Sequence, residues 1–339
     1  MKKLLSLTLA SLFAISMLAG CTQNPSGDSK NDSSSSSSSS SEEAGNKMTF
    51  VNGEKELPTE FDNFVVLDYT LVDQFISLDT APQYGQTAQP QETRYYGDWV
   101  RTFEGFDLDS IKYVSARSEN FMEELLSYKP DFIVITERGA RELDKYEKIA
   151  PTYVFPDTRD WKEQLKTVGE FVGKADEATE MLATYDKLVE DSRALVADEI
   201  QGKTALVLQL NEKGFKIRMP ETQTSVYADL GFGVPEGLND SFASTGVSNE
   251  DGSFPVETLV QFNPDYILVD LQSADSYNAL VGTPIWEGIQ AVKDGRIYET
   301  NQAGWNHING YSSNTRRIND LVYFITEDKQ VMLEYAILD

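Results

Sequence analysis

The apolar and polar positions of this chain repeat across a long interval. Glu123-Glu124-Leu125-Leu126-Ser127-Tyr128-Lys129-Pro130-Asp131, followed by the apolar run 132–135, returns as Glu257-Thr258-Leu259-Val260-Gln261-Phe262-Asn263-Pro264-Asp265 and the run 266–269. In each copy a glutamate opens a short helical segment, and a proline seven residues later breaks it. The unbroken β-rich run that follows predicts a strand buried on both faces, as in parallel sheets. The two copies lie 134 residues apart, which predicts two lobes of one design.

Further elements alternate around each copy. Residues 64–67 and 205–208 read as strands ahead of the first and second copies, and 149–155 adds another strand to the first. Both lobes are therefore expected to be α/β units. Between them, 161–171 is amphipathic, and 175 to about 200 continues with Met181, Leu182, Tyr185, Leu188, Val189 and Leu195 at helical spacing. Gly202 stands where a helix stop is expected. A helix of roughly 25 residues is about 37 Å long, enough to join two small domains as a stiff rod. The expected fold is α/β: two similar α/β lobes, 48–172 and 202–339, joined by one long rigid helix over 173–201, with a ligand cleft between the lobes.

The first 47 residues differ from the rest. Lys2 and Lys3 precede an apolar stretch over 4–18, too short for a lasting transmembrane helix. It ends in Leu18-Ala19-Gly20-Cys21, which resembles the bacterial lipobox, where a signal peptide (1–20) is removed and the cysteine acylated. Cys21 is the only cysteine, so acylation leaves no disulfide and the fold must rest on its core. Several acyl chains on one residue anchor a protein far better than one. Residues 21–47 include nine consecutive serines, 33–41, and read as a flexible tether.

Composition narrows the function by exclusion. A formal net charge of -26 leaves no basic surface of useful size for nucleic acid. His307 is the only histidine, no Gly-x-Ser-x-Gly elbow occurs, and there is neither a P-loop nor a glycine-rich dinucleotide turn. A zinc site usually draws on several histidines or cysteines, which the chain lacks. The chain is read as a binding protein and not as an enzyme. A surface-anchored carboxylate glycosidase and a structural lipoprotein are the remote alternatives.

Ligands of open α/β sheets bind at the carboxyl ends of strands. Thr136-Glu137-Arg138 follows the first repeated strand, making Arg138 a candidate, and Arg218 follows the 205–210 strand and its turn. The guanidinium fork suits oxygen-rich ligands. The segment 84–106 carries Tyr84, Arg94, Tyr95, Tyr96, Trp99 and Arg101 among turn residues and reads as a loop with binding aromatics. Gly304-Trp305-Asn306-His307-Ile308-Asn309 is its counterpart near the end of the chain.

The lipobox, the serine tether, the two Glu…Pro-Asp lobes and the linking helix together resemble the iron-siderophore solute-binding lipoproteins of ABC transporters. The likeness covers about 60 to 330. It implies a receptor, in all expectation monomeric, that captures a ferric siderophore as transported cargo, needs no cofactor, and hands it to a permease dimer with its ATPase. It implies that Glu123 and Glu257, one per lobe, dock on permease arginines, and that Tyr84, Tyr96, Trp99, Arg138, Arg218, Trp305, His307 and Asn309 line the cleft. An extracytoplasmic, lipid-anchored place on a Gram-positive cell follows from the same resemblance. The loop 244–254 has no histidine, and the late loop has neither the tyrosine of catecholate receptors nor the arginines of iron–citrate receptors. The expected ligand is thus a less charged ferric hydroxamate, with ferric citrate, a ferric catecholate, heme and cobalamin as alternatives.

Overall fold

The computed structural model describes residues 46–86, 96–103, 105–211, 214–238, 253–271 and 274–326. Cys21, the signal and tether segments, Arg94 and Tyr95, and most of the 244–254 loop lie outside them.

Two sheets carry the fold. The first has five parallel strands in the order β5-β4-β3-β6-β7, formed by Phe64–Val66 (β3), Tyr84–Gly85 (β4), Lys112–Tyr113 (β5), Phe132–Thr136 (β6) and Thr152–Phe155 (β7). An antiparallel hairpin, Lys47–Phe50 (β1) and Gly53–Glu56 (β2), leans on it through Val51 N donating to Val154 O at 3.0 Å. The second sheet has the order β11-β10-β8-β9, from Ala205–Asn211 (β8), Gly214–Ile217 (β9), Tyr266–Leu271 (β10) and Ile297–Glu299 (β11). Only β9 runs antiparallel there.

The repeated motif forms the same structure twice. A helix over Phe121–Tyr128 ends at Lys129 (φ 49°), and a helical turn over Leu259–Phe262 ends at Asn263 (φ 36°). The residue before a proline is barred from right-handed helix, and a left-handed residue ends each helix just ahead of its proline. Asparagine tolerates that conformation better than lysine does.

Alternation along the central strands explains why they read as continuously apolar. Phe132 and Val134 of β6, Ala205 and Val207 of β8, and Tyr266 and Leu268 of β10 all enter one shared core. Their neighbours turn the other way. Ile133 and Ile135 join a satellite core under the first sheet, and Leu206, Leu208, Ile267 and Val269 join one under the second. Successive side chains of a strand point to opposite faces, so both faces of each sheet are covered.

The shared core runs from one sheet to the other through the linking helix, Ala175–Ile200. Its buried residues, Ala178, Leu182, Tyr185, Val189, Ser192, Val196 and Ile200, fall at helical spacing on one stripe. Tyr185 packs edge-on against Trp161 with ring centroids 4.7 Å apart, and its hydroxyl donates to Asp229 at 2.7 Å.

One element departs from the sequence-based division. The C-terminal helix, Tyr311–Thr326, falls in the second lobe by chain position and packs on it, but is also held by the first. Its opening backbone N–H groups are capped from another helix, Tyr69–Ser77. The buried Asp73 carboxylate accepts from Ser312 N (2.9 Å) and Ser313 N (3.1 Å), and Gln74 Oε1 accepts from Tyr311 N (3.3 Å). Gln74 Nε2 also donates to Trp161 O at 3.0 Å, tying in the helix Trp161–Phe171. Gly310 lets the chain pass over this clasp, because a Cβ there would lie 2.5 Å from the Asp73 carboxylate.

Burial raises the Asp73 carboxyl above its ordinary range, opposed by the hydrogen bonds from Ser313 and Ser312. An acid whose folded pKa exceeds its unfolded value stabilises the fold below the unfolded pKa and loses that contribution as pH rises through the folded one. Asp73→Ala strands two buried N–H donors and is expected to cost about 2–4 kcal/mol in chemical denaturation. Gly310→Ala should also destabilise. Unchanged midpoints for both would remove the clasp from the account.

Candidate functional site: a cleft floored by arginines

A cavity of about 270 Å³ opens where the carboxyl ends of the strands in the two lobes face each other. From the first lobe it receives Thr70, just after β3, Arg138 after β6, and Thr158 and Arg159 after β7. From the second it receives Arg218 after β9, Thr222 and Gln223, and the late loop from Trp305 to Asn309. Arg317 of the C-terminal helix completes the floor.

Each group is positioned by its own element. The carboxylate of Asp68 caps the helix Tyr69–Ser77, accepting from Thr70 N at 2.9 Å and from Thr136 Oγ1 at 3.1 Å. Thr136 ends β6, and the 3-10 turn Glu137–Glu142 that follows lifts Arg138 to the rim. There Arg138 is 66% exposed and binds Asp157 through two nitrogens, at 2.8 and 3.0 Å. Arg159 pairs with Glu221 of the other lobe at 3.3 Å, and its carbonyl accepts from Asn309 Nδ2 at 3.1 Å. Exposed pairs of this kind contribute about 0–1 kcal/mol and leave both arginines free to exchange partners.

The floor is built differently. Arg218 is partly buried; among the described residues its only side-chain hydrogen bond runs to Gln209 Oε1 at 3.4 Å, and its buried Nε has no partner. Gln209 in turn donates to the buried Asp270 at 3.1 Å, and Asn306 Nδ2 donates to the same carboxylate. Burial lowers the Arg218 pKa, and the nearby Asp270 charge opposes the shift.

Arg317 is 1% exposed and donates to Gly304 O at 2.7 Å, to Ile308 O and to Asn314 Oδ1 at 3.3 Å. The late loop, with a π-helical turn over Ala303–His307, is thereby wrapped around a guanidinium. Burial first, opposed by the Tyr185 and Asp73 charges and reinforced by that of Arg218, lowers the Arg317 pKa to about 10, so Arg317 remains a cation at neutral pH.

His307 stands in the wall of this cavity, stacked on Tyr69 with ring centroids 6.0 Å apart. Partial desolvation in the cleft, then the charges of Arg218 and Arg117, lowers the imidazole pKa. A histidine so lowered is neutral at physiological pH.

Of the residues singled out in the sequence, Arg138, Arg218, His307 and Asn309 come together here. Trp305 lines the floor, but its indole is fully buried, and its Nε1 donates to Asp320 at 3.2 Å. Its backbone carbonyl, which accepts from Gln223 at 3.1 Å, ties the loop to the second lobe. Trp99 is 1% exposed and supports Tyr69 from below, with centroids 5.6 Å apart. Tyr84 stacks on Tyr128 at 4.0 Å beside the satellite core of the first lobe, and Tyr96 donates to Asp109 at 2.7 Å. Neither tyrosine lines the cavity. These aromatics stand among turn residues in the sequence, yet the chain folds them inward.

Arg159, Gln223, Arg317 and Tyr69 were not singled out. Arg159 follows β7 closely, so the strand-end rule applied to that strand would have found it. Nothing local marks Arg317, which looks like any helical arginine. Glu123 and Glu257 lie outside the cleft, both exposed, each in the first turn of its repeated motif. Among the described residues no cluster of three or more His, Cys, Asp or Glu side chains could hold a bare metal ion.

A family model described as periplasmic binding protein matches residues 66–303, more than half the chain. The iron(3+)-hydroxamate-binding protein FhuD of Bacillus subtilis is 27% identical over 211 residues, 61% of this chain and 65% of that protein, just under two thirds of its length. A probable siderophore-binding lipoprotein of the same organism is 24% identical over 337 residues, 96% of this chain and 99% of that one. Among solved structures, Staphylococcus aureus SirA complexed with staphyloferrin B superposes with a TM-score of 0.65 at 22% identity, over 84% of this chain and 99% of that chain. Bacillus subtilis FeuA, a triscatecholate siderophore-binding protein complexed with ferri-bacillibactin, gives 0.63 at 20% identity, over 84% and 99%. At these identities the structures establish the shared two-lobed α/β fold.

With its indole 0% exposed, Trp305 acts on the site through packing. Trp305→Ala is expected to destabilise the protein by about 3–5 kcal/mol, the cost of emptying a buried aromatic site. A thermal melt unchanged from the native protein would show the ring to be dispensable to the fold.

Proposed function

The chain belongs to the periplasmic binding protein family, and from that premise we propose that it captures a ferric siderophore between its lobes and delivers it to an ABC importer. The observation that carries this reading is the cavity itself. Arginines from both lobes converge on it, Arg138 and Arg159 beyond the carboxyl ends of parallel strands and Arg218 after the antiparallel β9, with amide and imidazole groups between them. Relatives named for ferric hydroxamate binding and for siderophore binding match the chain over most of its folded length. Iron reaches the site inside its chelator, as cargo, so the protein needs to recognise only the oxygen-rich surface of the complex. The reading assigns no reaction to the chain.

A cavity of about 270 Å³ lies just under the roughly 300–1,000 Å³ usual for small-molecule sites. A siderophore complex would fill it and extend onto the rim, where Arg138 and Arg159 stand. Those long side chains can release Asp157 and Glu221 and turn to the ligand at little energetic cost.

Delivery falls to Glu123 and Glu257. Each is an exposed carboxylate at the start of an equivalent helical turn, one per lobe, which suits a dimeric permease presenting paired arginines. Acylation of Cys21 would hold the receptor at the outer face of the membrane, with the serine tether giving it reach. A receptor without that anchor would diffuse from a cell that lacks an outer membrane.

Full-length protein in detergent, titrated with ferric chelates by calorimetry, should bind one of them saturably and ignore free iron. Glu123→Ala combined with Glu257→Ala should leave that affinity within about twofold, since surface substitutions rarely act beyond about 0.5 kcal/mol, and abolish uptake in cells. Normal uptake by the double variant would remove the docking role.

A further inference from the structure

We infer that the cargo is a net-anionic ferric chelate, of catecholate or α-hydroxycarboxylate type, and not a neutral hydroxamate. This rests on the receptor reading above and concerns the same cleft. The starting observation is a charge imbalance beneath the cavity. Arg218 and Arg317 both line the floor, and the Arg218 charge acts on Arg317. The hydrogen bonds of Arg317 end on two carbonyls and an asparagine oxygen, and that of Arg218 ends on a glutamine oxygen. Neither forms a salt bridge among the described residues.

That arrangement is unusual in this chain. It carries 55 acidic residues against 29 Lys and Arg, so carboxylates are plentiful. Buried arginines are rarely left without an ion partner, because desolvating a charge is costly. The Asp270 charge acts on Arg218, but Gln209 bonds to both and takes the direct contact. The carboxylate thus holds the glutamine that orients Arg218, while the guanidinium's unpartnered Nε remains buried at the cavity. Asp270 acts on Arg218 and Asp73 on Arg317 without a direct ion pair, so the direct anionic contact is the one a ligand would bring.

The walls point the same way. Arg138 and Arg159 stand on the rim, tethered only to exposed carboxylates, and the Arg117 charge reaches His307. The late loop lacks arginines, which led the sequence reading toward a weakly charged ligand. Folding supplies the charge from other segments, since positions 117, 159 and 317 lie far apart along the chain. Three hydroxamates neutralise a ferric ion, so a tris-hydroxamate core offers the floor no net charge. Three doubly ionised catecholates leave three negative charges, and α-hydroxycarboxylate chelates are likewise anionic. Their oxygens can accept from the arginine N–H groups as charge-assisted hydrogen bonds.

The test is a calorimetric titration of the full-length protein in detergent with ferrichrome, ferrioxamine B, ferric citrate and a ferric tris-catecholate. An anionic complex is expected to bind at least roughly 30-fold more tightly than either hydroxamate, the range seen when one side of a buried charge pair is missing. The citrate and catecholate arms separate the two anionic sources. Equal or tighter binding of a hydroxamate overturns the inference and leaves the receptor reading standing. Silence toward all four overturns both. Arg218→Met should lower affinity for the anionic complex by about 30-fold, with Arg218→Lys recovering part of it. Should Arg218→Met melt early, Arg159→Met at the exposed rim replaces it, with an expected loss of several-fold that shrinks as salt is added. No loss in either variant contradicts the assignment.

Discussion

The structure depends on one constraint, the continuity of its core from the first sheet through the linking helix to the second. Tyr185 and Val189 on that helix belong to the same apolar cluster as Phe132 in one lobe and Tyr266 in the other. Close-packed interiors resist deformation, so lobes that share a core cannot swing as independent bodies. The clasp at Asp73 reinforces this, because the first lobe caps a helix that the chain supplies from its far end. The cleft is therefore largely preformed, and its arginines stand in place before any ligand arrives.

Preformation has an energetic side. A site that holds one buried and one partly buried guanidinium without a direct ion pair among the described residues stores an electrostatic cost that the rest of the core must offset. Shared packing across both lobes offers that support, and a rigid frame keeps the guanidiniums from relaxing into solvent. In the proposed receptor, affinity would come from relieving this cost with little ordering of side chains or loops. The same rigidity keeps Glu123 and Glu257 at a fixed separation, which suits docking on two equivalent subunits.

Much of the fold was legible in the sequence because it rests on local rules. The Pro-Asp turns, the apolar runs 132–135 and 266–269 and the 26-residue linking helix each follow from backbone chemistry and periodicity. Arg138 was legible through the strand-end rule, and Arg218 through the family resemblance. The aromatics were not, because exposure is a tertiary property: Trp99 and Trp305 look like loop residues in the chain and are buried in the fold. The charge of the cleft was also hidden, since Arg159 and Arg317 reach it only through the meeting of β7 and the C-terminal helix with the second lobe. The crossing of that helix onto the first lobe depends on Asp73 and Gln74, whose role no local pattern announces.

The most direct test of a preformed cleft is the distance between spin labels placed one on each lobe, beside Glu123 and Glu257, in full-length protein with and without a bound ferric chelate. A shared core predicts one narrow distribution that shifts by less than about 2 Å on saturation, the scale of preorganised complexes. A broad distribution in the free protein, or a collapse to a much shorter distance on binding, would show that the lobes move as hinged bodies and would contradict the account.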